Sequence, residues 1–116
     1  MTRALLGVAL GVALAASLVA CGADEEPAAE GDTRARVMVM TGATLLDVRT
    51  PREFAAGHLE GAVNIPITEL ADRRAEVPTD HDVVVYCQSG GRSAAAARDL
   101  TAHGYEVYDL GAMSSW

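Results

Sequence analysis

Beyond residue 40 the chain carries four short apolar runs: Thr44 to Val48, Ala62 to Ile65, Val83 to Tyr86 and Glu106 to Leu110. None alternates cleanly between apolar and polar positions. That pattern fits strands covered on both faces in a parallel sheet better than half-exposed antiparallel ones. The segments between them read as helices. Pro51 to Ala56 has Thr50 as N-cap, Pro51 at the first helical position and Gly57 as its stop. Ile67 to Glu76 follows, with Thr68 as a candidate cap and Pro78 beyond its end. Ser93 to His103 holds five alanines in eleven residues and is closed by Gly104. Arg34 to Thr41 is ambiguous: Val37 and Val39 favour a strand, yet Gly42 would equally close a short helix. Alternating strands and helices predict an α/β domain: a central, mainly parallel sheet of four to five short strands with helices on both faces.

The first twenty residues follow a different pattern. Arg3 precedes an apolar stretch from Ala4 to about Leu18, short for a hydrocarbon core of ~30 Å, as in a signal peptide. It ends in Leu18-Val19-Ala20-Cys21, which resembles a bacterial lipobox, and that resemblance implies cleavage before Cys21 and lipid attachment to its sulfur. A plain transmembrane anchor or a secretory signal cleaved nearby is the alternative. All three place the folded part outside the cytoplasm. Residues 21–33 read as the lipidated cysteine and a flexible tether, whose stretch from Gly22 to Asp32 is acidic, lacks large apolar side chains and reaches about 35 Å at most. Two acyl chains would hold such an anchor stably on a membrane. The remaining residues, 34–116, make one small domain, expected to be of modest stability.

Composition narrows the function. Half the residues are hydrophobic and 22% are charged, ordinary for a globular domain. The net charge of −7, with nine scattered arginines as the whole basic complement, excludes a nucleic-acid surface. His81 and His103 lack partners at metal-ligand spacing, and no metal or cofactor is called for. Met38, Met40 and Trp116 read as packing residues.

The chemistry gathers at Cys87. If Cys21 is lipidated, Cys87 is an unpaired thiol in a compartment that favours disulfides. It ends a buried strand and is followed by Gln88-Ser89-Gly90-Gly91-Arg92-Ser93 and the alanine-rich helix. Paired glycines let the backbone curl so that amides point inward, while the helix start and Arg92 add positive charge. A sulfur at the centre of such a cradle is expected to be a thiolate, below the ~8.5 of a free cysteine. Parallel strands open their C-terminal ends on one edge, which makes Asp47, Arg49 and Cys87 neighbours despite some forty residues of separation.

Cys87 through Ser93 resembles the active-site loop of the rhodanese family, single-domain sulfurtransferases. Asp47 to Phe54, Gly57 to Pro66 and Leu110 to Trp116 look like further family signatures in family order. The exported phage shock protein E type is a similar member. The resemblance implies a rhodanese-like fold and a Cys87 persulfide. The persulfide would carry sulfur from thiosulfate or another persulfide to cyanide or a thiol. Arg92 stands five positions after the cysteine, as in rhodaneses; related phosphatases and arsenate reductases use a loop one residue longer. The amides of Gln88 to Ser93 are then the sulfur-binding groups. Arg92 either meets the sulfonate of thiosulfate or braces the loop through a carboxylate. Asp47 and Arg49 support the pocket, with a family-type ion pair from Arg49 to Glu53, and His58 is structural. Gln88 and Ser89 are neutral where thiosulfate-preferring members often carry cations, so affinity for small anions is expected to be weak and a protein thiol or persulfide is the expected partner. Family members usually continue past the position of Trp116 into a helix covering one flank of the sheet. That flank is expected to be looser or covered by a partner. A rhodanese fold used only as a binding module, or a thiol redox sensor, are the rival readings.

Overall fold

The structure, a computed structural model, describes residues 31–116. The signal segment, Cys21 and all but the end of the tether lie outside the described residues. Four parallel strands form one sheet in the order β2-β1-β3-β4: β1 Thr44–Asp47, β2 Val63–Asn64, β3 Val83–Cys87 and β4 Val107–Ala112. This is the α/β architecture expected from the unalternating runs.

Strand β3 shows why those runs do not alternate. All five of its residues are fully buried, but their side chains divide between two cores. Val83, Val85 and Cys87 pack with Leu46, Leu70, Ala96 and Leu100 on one face, and Val84 and Tyr86 join Ala35, Leu45 and Leu110 on the other. Each buried valine contributes roughly 1.5 kcal/mol or more, so polar residues are excluded from both faces.

Helix α1, Thr33–Met40, resolves the ambiguous segment as helix and covers the second face. Asp32 caps it, its carboxylate accepting from the Ala35 N–H at 3.0 Å and from the Tyr108 hydroxyl. The Asp32 N–H also donates to the Ser115 carbonyl at 2.7 Å, so folded structure begins two residues before Arg34. Met38 and Trp116 pack as expected, whereas Met40 is 84% exposed. It lies in the last turn of α1, beside the Thr41 that ends the helix.

Helix α2, Pro51–Ala56, has the predicted Thr50 cap, completed by Glu53 into a reciprocal capping box. Helix α3 spans only Leu70–Arg73 and passes into a 3-10 turn, Arg74–Glu76. Thr68 does not cap it. The Ile67 N–H is taken by the Val48 carbonyl at 3.0 Å, which holds the preceding residues along the sheet edge and delays the helix. Helix α4, Gly91–Ala102, begins two residues before Ser93. Its N-cap is Gly90 at φ 108°, a position that gives no Ser or Asp signal in the sequence. Strand β4 outruns its expected end at Leu110 because a register shift opposite Val85 and Tyr86 skips Leu110 and lets pairing resume at Gly111, at φ 82°, and continue to Ala112.

Candidate active site

Cys87 is the last residue of β3, and its side chain is fully buried at the mouth of α4. The first amides of a helix have no intrahelical partner. Here the sulfur takes the place of a capping side chain. The Gly90 N–H donates to Sγ at 2.9 Å. Burial pushes the Cys87 thiol up. The Ser93 amide and hydroxyl, then the Gly90 and Ser89 amides, outweigh it and hold the thiol below its ordinary range. Of the amides expected from Gln88 through Ser93, that of Gly90 is hydrogen-bonded to the sulfur, while those of Ser93 and Ser89, with the Ser93 hydroxyl, help to lower its thiol. The single proton of that hydroxyl is shared between the sulfur and the Gly90 carbonyl 3.0 Å away, which closes the turn. Gln88 and Ser89 stand exposed at the rim.

The two arginines at the loop have separate carboxylate partners. Arg92 donates to both Glu53 oxygens, Nη1 to Oε1 at 2.5 Å and Nη2 to Oε2 at 3.0 Å. It therefore braces the loop against α2, one of the two roles open to it. The expected Arg49 to Glu53 pair is absent. Arg49, 3% exposed, turns back onto the fully buried Asp47, with Nε 3.0 Å from both carboxylate oxygens and Nη2 2.7 Å from Oδ2. The reason is geometric. Asp47 ends β1 and the backbone N–H of Arg49 already donates to it at 2.9 Å, so the two side chains share one tight turn. Glu53, fixed at the start of α2, faces the cysteine loop instead.

Arg49 then spans the site. Its Nη2 reaches the Gly57 carbonyl at 2.7 Å and its Nη1 the Gln88 Oε1 at 3.2 Å, tying the end of α2 and the residue after the cysteine to the end of β1. Asp47 and Arg49 thus support the loop without touching the sulfur. Arg49 is held above its usual range by the Asp47 carboxylate, and Arg92 by Glu53. Glu53 is lowered to about 2 by the Arg92 guanidinium and the Thr50 N–H.

Sequence reasoning overlooked two groups. Asn64 donates from Nδ2 to the carbonyls of Asp47 at 3.0 Å and Arg49 at 2.9 Å, fixing the backbone turn that aims Arg49. The Tyr86 hydroxyl accepts the Leu59 N–H at 3.1 Å, and burial pushes its pKa up to about 12. A single asparagine inside an otherwise apolar run was the available signal for the first. His58 stacks on Phe54 with ring centroids 3.6 Å apart and bonds the Phe54 carbonyl through Nδ1 at 2.8 Å, the structural role expected of it.

Comparison with known proteins agrees with this layout. The Rhodanese-like domain family matches residues 32–116. The chain is 46% identical over 76 residues to the uncharacterized protein YqhL of Bacillus subtilis, covering 64% of this chain and 60% of that one. It is 42% identical over 62 residues to thiosulfate sulfurtransferase PspE of Escherichia coli, covering 52% of this chain and 60% of that one. It therefore spans 60% of the length of each of these curated relatives. A solved structure of a rhodanese with anions from E. coli aligns with a TM-score of 0.60 at 32% identity, over 64% of this chain and 91% of that one. Because the family match runs through every strand of the sheet and through the cysteine loop alike, the chain belongs to the rhodanese-like domain family.

Proposed function

We propose that the protein is a sulfurtransferase that carries sulfane sulfur on Cys87. The observation behind this reading is the sulfur of Cys87 receiving the Gly90 amide at the N-terminus of α4, with its thiol lowered despite burial. The Cys87 thiolate attacks the outer sulfur of a donor such as thiosulfate. The donor's S–S bond breaks and sulfite departs with the electron pair. A Cys87 persulfide results, its charge spread over the amides of Ser89, Gly90 and Ser93. An acceptor thiolate or cyanide then attacks the outer sulfur, the Cys87–sulfur bond breaks, and the thiolate is restored. No cofactor or metal enters either step. PspE, by its name, uses thiosulfate.

The test is intact-mass spectrometry after thiosulfate treatment, coupled to thiocyanate formation with cyanide. One added sulfur on Cys87 and turnover abolished in Cys87→Ala support transfer. A wild type no more active than Cys87→Ala with thiosulfate and with a hydropersulfide donor alike ends the enzyme reading and leaves a binding module. Oxygen adducts or a disulfide in place of added sulfur indicate a redox sensor. We further propose export and lipid anchoring at Cys21, resting on Leu18-Val19-Ala20-Cys21. Unchanged processing and membrane fractionation of Cys21→Ala would refute it.

A further inference from the structure

The sulfurtransferase reading leaves open which class of sulfur donor the site prefers, and the ion pairs around Cys87 bear on that choice. Both arginines that touch the loop are already matched by carboxylates. Arg49 spends its Nε–H and one Nη2 hydrogen on Asp47, the other Nη2 hydrogen on the Gly57 carbonyl and an Nη1 hydrogen on Gln88. Arg92 is held by both oxygens of Glu53. The rim residues Gln88 and Ser89 are neutral, and the chain as a whole carries −7.

Glu53 has a second attachment that matters here. Its Oε1 also accepts the Thr50 N–H at 3.1 Å and lies 3.2 Å from the Thr50 hydroxyl, so the carboxylate stays at the start of α2 whether or not Arg92 binds it. An arriving sulfonate that drew Arg92 away would face a fixed negative charge left beside it. The arginine five positions after the cysteine keeps its Nε–H and one hydrogen on each Nη, but its charge is already neutralised by Glu53.

We propose that Glu53 is a specificity-determining residue: by neutralising Arg92 it disfavours dianionic donors such as thiosulfate and favours sulfane sulfur on a less charged carrier, a hydropersulfide that reacts as its R–S–SH form. This selectivity rests on the sulfurtransferase reading. In the favoured step the Cys87 thiolate attacks the terminal sulfur, the S–S bond breaks, RS⁻ leaves with the electron pair, and Cys87–S–SH keeps the proton. The amide cradle accommodates that sulfur without a cation.

The substitution Glu53→Gln tests the idea, because glutamine at this position retains the capping box while removing the charge. Sulfur loading of Cys87 is followed by intact mass with two probes, thiosulfate and the hydropersulfide of an N-acetylated cysteine methyl ester. The ratio of thiosulfate to hydropersulfide loading rates is expected to rise about fivefold in Glu53→Gln, the scale of one water-screened charge at a partly exposed site. The rise should appear in the thiosulfate KM more than in kcat. The rise should be smaller in the Arg92→Met background, where only the direct repulsion by Glu53 is left for the substitution to remove. In parallel, alkylation by iodoacetate should accelerate relative to iodoacetamide. An unchanged or lower ratio with both probe pairs refutes the role of Glu53. Should neither donor load the wild type while alkylation still shows the charge effect, the sulfurtransferase reading falls and the gating of Arg92 by Glu53 stands.

Discussion

Substituting Arg49 by methionine isolates the buried ion pair at the end of β1. The guanidinium is 3% exposed and its partner Asp47 is fully buried. Without Arg49 the carboxylate retains one bond, from the backbone N–H of residue 49, and stays sealed from water. Breaking a buried pair by removing one partner costs about 3 to 5 kcal/mol, because a desolvated charge is left uncompensated. A domain of this size holds roughly 4 to 12 kcal/mol in total, so the variant should sit near the edge of folding. With a urea dependence of about 1 kcal/mol per molar, the midpoint should fall by roughly 3 M or more. Urea denaturation followed by far-UV circular dichroism measures it. The double variant Asp47→Asn with Arg49→Met removes the stranded charge and should recover about 2 kcal/mol of the loss. If Arg49→Met costs less than about 1 kcal/mol, or the double variant is no more stable than the single, the pair is not the structural clamp described here.

Three other changes probe the loop and its supports. Ser93→Ala removes a hydroxyl that helps hold the Cys87 thiol low, so the pH profile of iodoacetamide alkylation should move to higher pH. Because a depressed thiol adds stability only above the unfolded value and loses it as pH falls through the folded value, the stability cost of Ser93→Ala should be larger at pH 9 than at pH 6. Gly90→Ala imposes a side chain at φ 108° and should cost about 1 to 3 kcal/mol in denaturant titration while slowing alkylation of Cys87, since the Gly90 N–H can no longer keep its place at the sulfur. Asp32→Ala removes the α1 cap and the contact to Tyr108; a loss of about 1 kcal/mol, read as a Tm drop of roughly 4 to 8 °C by calorimetry, is expected.

Much of this could be read from the chain because it is local. Apolar runs without alternation meant strands buried on both sides, and β3 shows the two cores that impose the pattern. Thr50, Pro51 and Gly57 marked α2, and the cysteine, glycines and helix-forming alanines marked the loop, because caps and left-handed turns depend on residues a few positions apart. The partners of the charges were beyond that reach. Arg49 and Arg92 each had more than one carboxylate within range, and which they took was decided by the turn after β1 and by where α2 lands beside the loop. The early start of α4 was hidden for a related reason, since its capping group is the sulfur of a residue on the preceding strand. Local sequence thus determined which elements form and where the reactive thiol lies. Only the tertiary arrangement decided which carboxylate each cation beside it takes, because an ion pair is chosen by distance in space and by the burial of both partners.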